Sequence, residues 1–145
     1  MWYGRELVPV GTVCVRIGAL RDDRARRGPG ETRIRVRIWD IEPARLCRKH
    51  LLGEHVELHA LWTILTEDRK GGWANHPEAK RWRGKLRALY LRHEALVAEM
   101  QRRGYRHNSP LDESLATGQA VQNECWQSPR QQAELLRQRC DECDV

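Results

Sequence analysis

Val36-Arg37-Ile38-Trp39-Asp40, followed eleven residues later by Leu51-Leu52-Gly53-Glu54-His55-Val56-Glu57-Leu58, is the stretch on which the reading of this chain turns. The first segment alternates weakly and is short. Pro43 then follows Glu42, and proline suits a first helical turn, where its missing N–H would be unpaired anyway. A helix is predicted from about Pro43 to about Thr66. Cys47, Leu51, Leu58, Trp62 and Leu65 recur at spacings of three, four or seven and define one buried stripe. His50, Glu54 and Glu57 fall on an adjacent stripe, beside the core and not opposite to it.

Working outward, Gly71-Gly72 interrupts the pattern and Pro77 opens a second periodic segment, predicted as one helix to Arg103 and closed by Gly104 at C′. Trp82, Leu86, Leu89, His93, Leu96 and Met100 form its packing face. Ser109-Pro110 and Ser128-Pro129 each read as an N-cap followed by proline, with Gln131 completing a capping box for Ser128. The expected fold is all-α: a single domain with two long helices packed together and short C-terminal helices. Residues 1–35 differ in character. Arg21 to Gly30 is charged and ends in turn formers, so 1–35 reads as a disordered or mis-annotated extension and 36–145 as the domain.

The chain has 145 residues and a formal net charge of +6. Between Arg69 and Arg106 there are eleven Lys and Arg against three Glu, a local excess larger than that of the whole chain. Such a segment suits a polyanionic partner; its plain alternative is a solvated helix surface. No apolar run approaches the length of a membrane span. Five cysteines without a secretory signal suggest reduced thiols in the cytosol.

Several chemistries are disfavoured by the spacing. His55 and His59 share a helix face, but the zincin motif needs glutamate directly after the first histidine. Within that helix no three-ligand set converges, and a metal site would need His76 or His93 brought in by tertiary structure. Cys140-x-x-Cys143 has no second pair, so no structural zinc is expected. There is no phosphate-binding glycine loop and no Gly-x-Ser-x-Gly elbow. Neither metal nor cofactor is assigned.

The ordered matches Val36-Arg37-Ile38, His50-Leu51, Glu54 and Glu57, then Lys85-Leu86 through Glu99 and Arg102-Arg103-Gly104-Tyr105, resemble the pyrimidine-dimer DNA glycosylases of the endonuclease V type. The resemblance covers about Val36 to Asn108. It implies a glycosylase with associated lyase activity on damaged double-stranded DNA, in which the protein's own terminal amine is the nucleophile. Val36 takes the amine-bearing position and Glu57 that of the catalytic glutamate. Arg37, His50, Lys80, Arg83, Lys85 and Arg87 are the expected DNA contacts. A cytoplasmic, nucleoid-associated monomer is expected, with no membrane partner. Since a GUG valine codon can serve as a bacterial start, initiation at Val36 would present a methionine amine there. Val56 and Ala60 stand where the phage-type member carries arginines, and the tail is acidic where the phage enzyme's is tyrosine-rich. The rival readings are the same scaffold acting on a different lesion, or a non-catalytic helical nucleic-acid-binding protein.

Overall fold

The computed structural model describes residues 37–145 and the backbone of Val15–Arg16. The reading of 1–35 as an extension and the position of Val36 otherwise lie outside the described residues. Four α-helices follow in order: α1 Arg48–Thr66, α2 Pro77–Trp82, α3 Leu86–Arg102 and α4 Pro129–Arg139. The fold is all-α, as the periodicity predicted. Among the described residues the strand structure is one two-residue parallel pairing, β1 Val15–Arg16 against β2 Glu124–Cys125.

The core forms where α1 lies against α3. Leu51, Leu58 and Leu61 from α1 meet Leu89, Leu96 and Met100 from α3, and Leu136 of α4 closes one side. Trp82 of α2 and Ile38 and Ile41 of the entering segment complete it. The predicted stripe on α1 is buried at Cys47, Leu51, Leu58 and Trp62, while Leu65 is partly covered.

Two boundaries differ from the sequence reading, each for a local reason. Pro43–Arg45 is a separate 3-10 turn, because Leu46 is extended and α1 restarts from Cys47. The other end of α1 falls at Thr66, as expected. Asp68 adopts φ +46°, and the Arg69 N–H returns to the Ile64 carbonyl at 3.1 Å, a Schellman closure without glycine. The segment 77–103 is two helices instead of one. Arg83 is extended and Gly84 turns through φ +73°, a conformation that glycine alone adopts without strain. Trp82 and Leu89 still face the same core, so apolar spacing could not reveal the break.

Gly104, at φ +83°, closes α3 as expected, with the Tyr105 N–H on the Met100 carbonyl. Ser128 and Gln131 form the expected capping box of α4. Ser109-Pro110 opens no helix. The Ser109 hydroxyl is turned instead toward His107 and His59, and the next short turn, Glu113–Leu115, is capped by Asp112.

Candidate active site

Glu57 sits on the third turn of α1, half-buried, and its Oε2 accepts the backbone N–H of Arg37 at 2.6 Å. Burial, with Glu54 and Glu78 adding to it, pushes the carboxyl up to about 7 against the opposing pull of that N–H. Both protonation states are therefore populated near neutral pH, which suits a group that gives and takes protons.

The segment carrying Arg37 is held rigidly. The Ile38 N–H meets Glu78 Oε1 at 3.3 Å and the Asp40 N–H meets Gln132 Oε1 at 2.9 Å. Buried Arg81 donates to Glu78, to both oxygens of Asp40, and to the carbonyls of Ile38 and Glu124. Such a fully paired network makes the approach of residue 37 to Glu57 a fixed feature of the fold. Glu54, one turn before Glu57, has a different task. It is fully enclosed and makes a two-pronged pair with Arg92, at 2.7 and 3.0 Å, while Arg92 also holds the Ile41 carbonyl.

The basic segment divides in two. Arg81, Arg92, Arg102 and Arg103 are engaged with Glu78, Glu54 and Glu99. Lys85, expected at a DNA surface, is buried. Its Nζ reaches Gln122, the Arg81 carbonyl and Glu124 at 2.9 to 3.2 Å. Lys80 and Arg83 face solvent, with Arg83 anchored on the Ala74 carbonyl. Half-exposed Arg87 pairs with Glu113. Arg37 lies over the Trp39 ring at 4.2 Å and donates to Gln127. Val56 and Ala60 are exposed on α1.

His50 does not share the environment of its stripe neighbours. Its Nδ1 lies 3.1 Å from Cys47 Sγ and 3.4 Å from Cys143 Sγ. Cys140 Sγ is 3.7 Å from Cys47 Sγ, and the four ligand atoms lie within 4.8 Å of one another. The C-terminal Cys-x-x-Cys thus does have a second pair, supplied by α1. The signal was Cys47-x-x-His50, a spacing equal to that of Cys140 and Cys143.

A second group joins His55 and His59 of α1 to His93 of α3 and His107 beyond it, again with ligand atoms within 4.8 Å. His93 is one of the two histidines that the sequence singles out as able to complete a set. The other, His76, is occupied as the N-cap of α2. His107 escapes a sequence reading, since nothing in its surroundings sets it apart there. Burial and the neighbouring imidazoles bring His55 down to about 4, so its ring is neutral.

Fold and site together define a class: a helical protein whose half-buried Glu57 carboxyl is pushed up to about 7 and whose Lys80 and Arg83 face solvent. Residues 36–113 match the family model of the pyrimidine dimer DNA glycosylase, just over half of the chain. The chain belongs to that family, and so to the DNA-repair glycosylases. No curated protein and no solved structure matches it. No helix among the described residues is long and apolar enough to cross a membrane.

Proposed function

We propose that this protein is a DNA glycosylase with AP-lyase activity that uses the α-amine of residue 36 as nucleophile and Glu57 as its acid–base partner. The observation carrying this reading is the 2.6 Å bond from the Arg37 N–H to Glu57. The nitrogen of residue 36 is three covalent bonds from that N–H. A chain beginning at residue 36, by initiation at that codon or by processing, therefore has its amine within reach of the carboxylate.

An α-amine has an ordinary pKa near 7.7–8.0, so roughly a tenth of it is unprotonated at neutral pH, whereas a lysine near 10.4 would need a large shift. The amine's lone pair forms a bond to C1′ of the damaged nucleotide as the C1′–base bond breaks and the base leaves with its electron pair. The nitrogen loses its protons, the sugar ring opens, and an imine joins protein to C1′. The imine acidifies C2′; loss of that proton expels the 3′ phosphate by β-elimination. Ionised Glu57 stabilises the cationic sugar and imine, and it accepts and returns the protons these steps move.

Arg37, Lys80, Arg83 and Arg87 are the proposed phosphate contacts on double-stranded damaged DNA, with salt-sensitive affinity. His50 and Lys85 leave that set, because their polar atoms are engaged inside the protein. A damaged nucleotide is cheap to unstack, which supplies part of the selectivity. Pyrimidine dimers are the first lesion to test, and the absence of cations at Val56 and Ala60 points to looser backbone engagement there than in the phage-type member. A monomer in the bacterial cytoplasm, beside the nucleoid, fits this role. Borohydride trapping on abasic and ultraviolet-damaged duplexes tests the reading. A stable protein–DNA adduct is expected from the form starting at residue 36; binding without adduct or strand scission would favour a non-catalytic DNA-binding protein.

A further inference from the structure

We propose that Cys47, His50, Cys140 and Cys143 bind one zinc ion that fastens the C-terminal tail to the start of α1. Tetrahedral zinc with Zn–S of about 2.3 Å and Zn–N of about 2.0–2.1 Å needs S···S edges of about 3.8 Å and S···N edges of about 3.6 Å. Cys140 Sγ lies 3.7 Å from Cys47 Sγ, His50 Nδ1 lies 3.1 Å from Cys47 Sγ and 3.4 Å from Cys143 Sγ, and all four donors fall within 4.8 Å of one another. Three sulfurs and one imidazole form a donor set selective for zinc, and four protein ligands leave no open position, so the role is structural.

The helix end and the backbone around the four donors fit a bound cation with three thiolates. Lys49 and Arg139 border the same cleft, together with Asp141 and Glu142, so the charges around it balance. Cys47 is the N-cap of the 19-residue α1, where the helix favours a thiolate, and no side chain caps that position. The Cys47 N–H also donates to Cys143 Sγ at 3.3 Å. Just outside, Arg45 and Asp144 exchange two bonds, the Asp144 N–H to the Arg45 carbonyl at 2.8 Å and the Arg45 Nε to the Asp144 carbonyl at 2.7 Å. The tail is therefore already laid against the approach to α1, with its sulfurs facing inward. A disulfide is the competing use of these thiols, but it needs sulfurs about 2.05 Å apart and would leave the third thiol and the imidazole without a purpose. Half of the ligand set, Cys140 and Cys143, lies beyond the residues matched by the family model.

Cobalt reports on this site, because thiolate ligation gives a sulfur-to-cobalt charge-transfer band that imidazole alone does not. The full chain titrated with cobalt is expected to develop that band, to lose it on adding zinc, and to lack it as Cys143→Ser. Should that variant fold poorly, alkylation of the unaltered protein decides: Cys47, Cys140 and Cys143 should be shielded with zinc and modified after chelation. Absence of the band, equal alkylation with and without zinc, or a Cys47–Cys140 disulfide in protein purified under reductant would each overturn the proposal.

The histidine group carries a second inference on separate contacts. We infer that His55, His59, His93 and His107 hold a divalent transition ion through their Nε2 atoms. His93 Nε2 is 3.3 Å from His59 Nε2, and His107 Nε2 is 3.1 Å from His55 Nε2. Tetrahedral zinc–imidazole geometry requires about 3.3–3.4 Å. Glu94 Oε1 lies 2.9 Å from His93 Nδ1, the carboxylate behind a ligating histidine that fixes the tautomer with Nε2 free for a metal. Zinc content of the full chain tests this independently. Two equivalents per chain are expected, falling to one in His107→Ala while the cobalt–thiolate band of the cysteine site survives. His107 is half-buried, and His59→Ala repeats the test from another element. Two equivalents in both variants, or a wild-type protein with no zinc beyond that lost in Cys143→Ser, would overturn it.

Discussion

The Arg37 backbone N–H and the Glu57 carboxylate are joined by a 2.6 Å hydrogen bond across twenty residues of sequence. That bond ties the beginning of the matched family region to the third turn of α1. It is supported on one side by Arg81 with Glu78 and Asp40, and on the other by Glu54 with Arg92. The carboxylate that the resemblance singled out is thus bonded to the residue that follows the proposed nucleophile position.

Glu57→Gln keeps the size of the side chain and an acceptor for the Arg37 N–H. Turnover in glycosylase and lyase assays should fall by about 10²–10⁴-fold, the usual contribution of acid–base catalysis. In the wild type kcat/KM should rise with pH through about 7 as Glu57 ionises, and this limb should vanish in the variant. Stability gives an independent readout. A carboxyl whose pKa is raised on folding binds its proton more tightly in the folded state, so stability falls as pH rises from about 4.5 to about 7. The variant should therefore melt higher than wild type at pH 8 and lose that advantage at pH 4. An unchanged kcat with an unchanged pH profile would leave Glu57 a structural acceptor.

Lys80 and Arg83 face solvent, whereas Lys85 is enclosed. Replacing Lys80 and Arg83 together by alanine should weaken DNA binding and lower the slope of log K against log salt by about 0.9 for each phosphate no longer neutralised. Lys85→Ala should instead lower the melting temperature, since it strips a partner from Glu124 and Gln122. Binding isotherms at several salt concentrations check the first outcome, and a thermal melt checks the second.

Arg92→Met should cost about 3–5 kcal/mol of folding stability, because it leaves the enclosed Glu54 carboxylate without its partner. Adding Glu54→Gln to it should restore part of that loss. Urea titrations of the two single variants and the double variant measure the coupling. Additive losses would mean that Glu54 and Arg92 act separately.

Gly118 has φ +82°, and a Cβ there would run into the Gly84 carbonyl. The same loop caps α3, with the Thr117 and Gln119 carbonyls accepting from the Arg87 and Ala88 N–H groups. Gly118→Ala should destabilise by about 1–3 kcal/mol or more, read by urea titration. A loss no larger than that of an exposed surface substitution would mean the loop shifts freely.

Periodicity was enough to place helices over α1 and α3, which each bury one apolar stripe, and the Ser128-Pro129 cap with Gln131 marked α4. It could not find the break at Gly84, where two helices keep their apolar residues in one phase. Nor could it tell the solvated cations from Arg81, Lys85 and Arg92, because enclosure by Glu78, Glu124 and Glu54 depends on partners as many as forty residues away. The same limit hid the two ligand clusters. Cys47 and Cys140 are ninety-three residues apart and His55 and His107 fifty-two, so each set exists only after α1, α3 and the tail have packed.

The central claim is that the nucleophile is the amine of residue 36. Its most direct test is to trap the form starting at that residue on an abasic duplex with borohydride, digest the adduct, and locate the modified peptide by mass spectrometry. The sugar remnant is expected on the terminal nitrogen, with trapping abolished when that nitrogen is acetylated or the full chain of 145 residues is used. A remnant on a lysine side chain, or equal trapping by the full-length and acetylated forms, would contradict it.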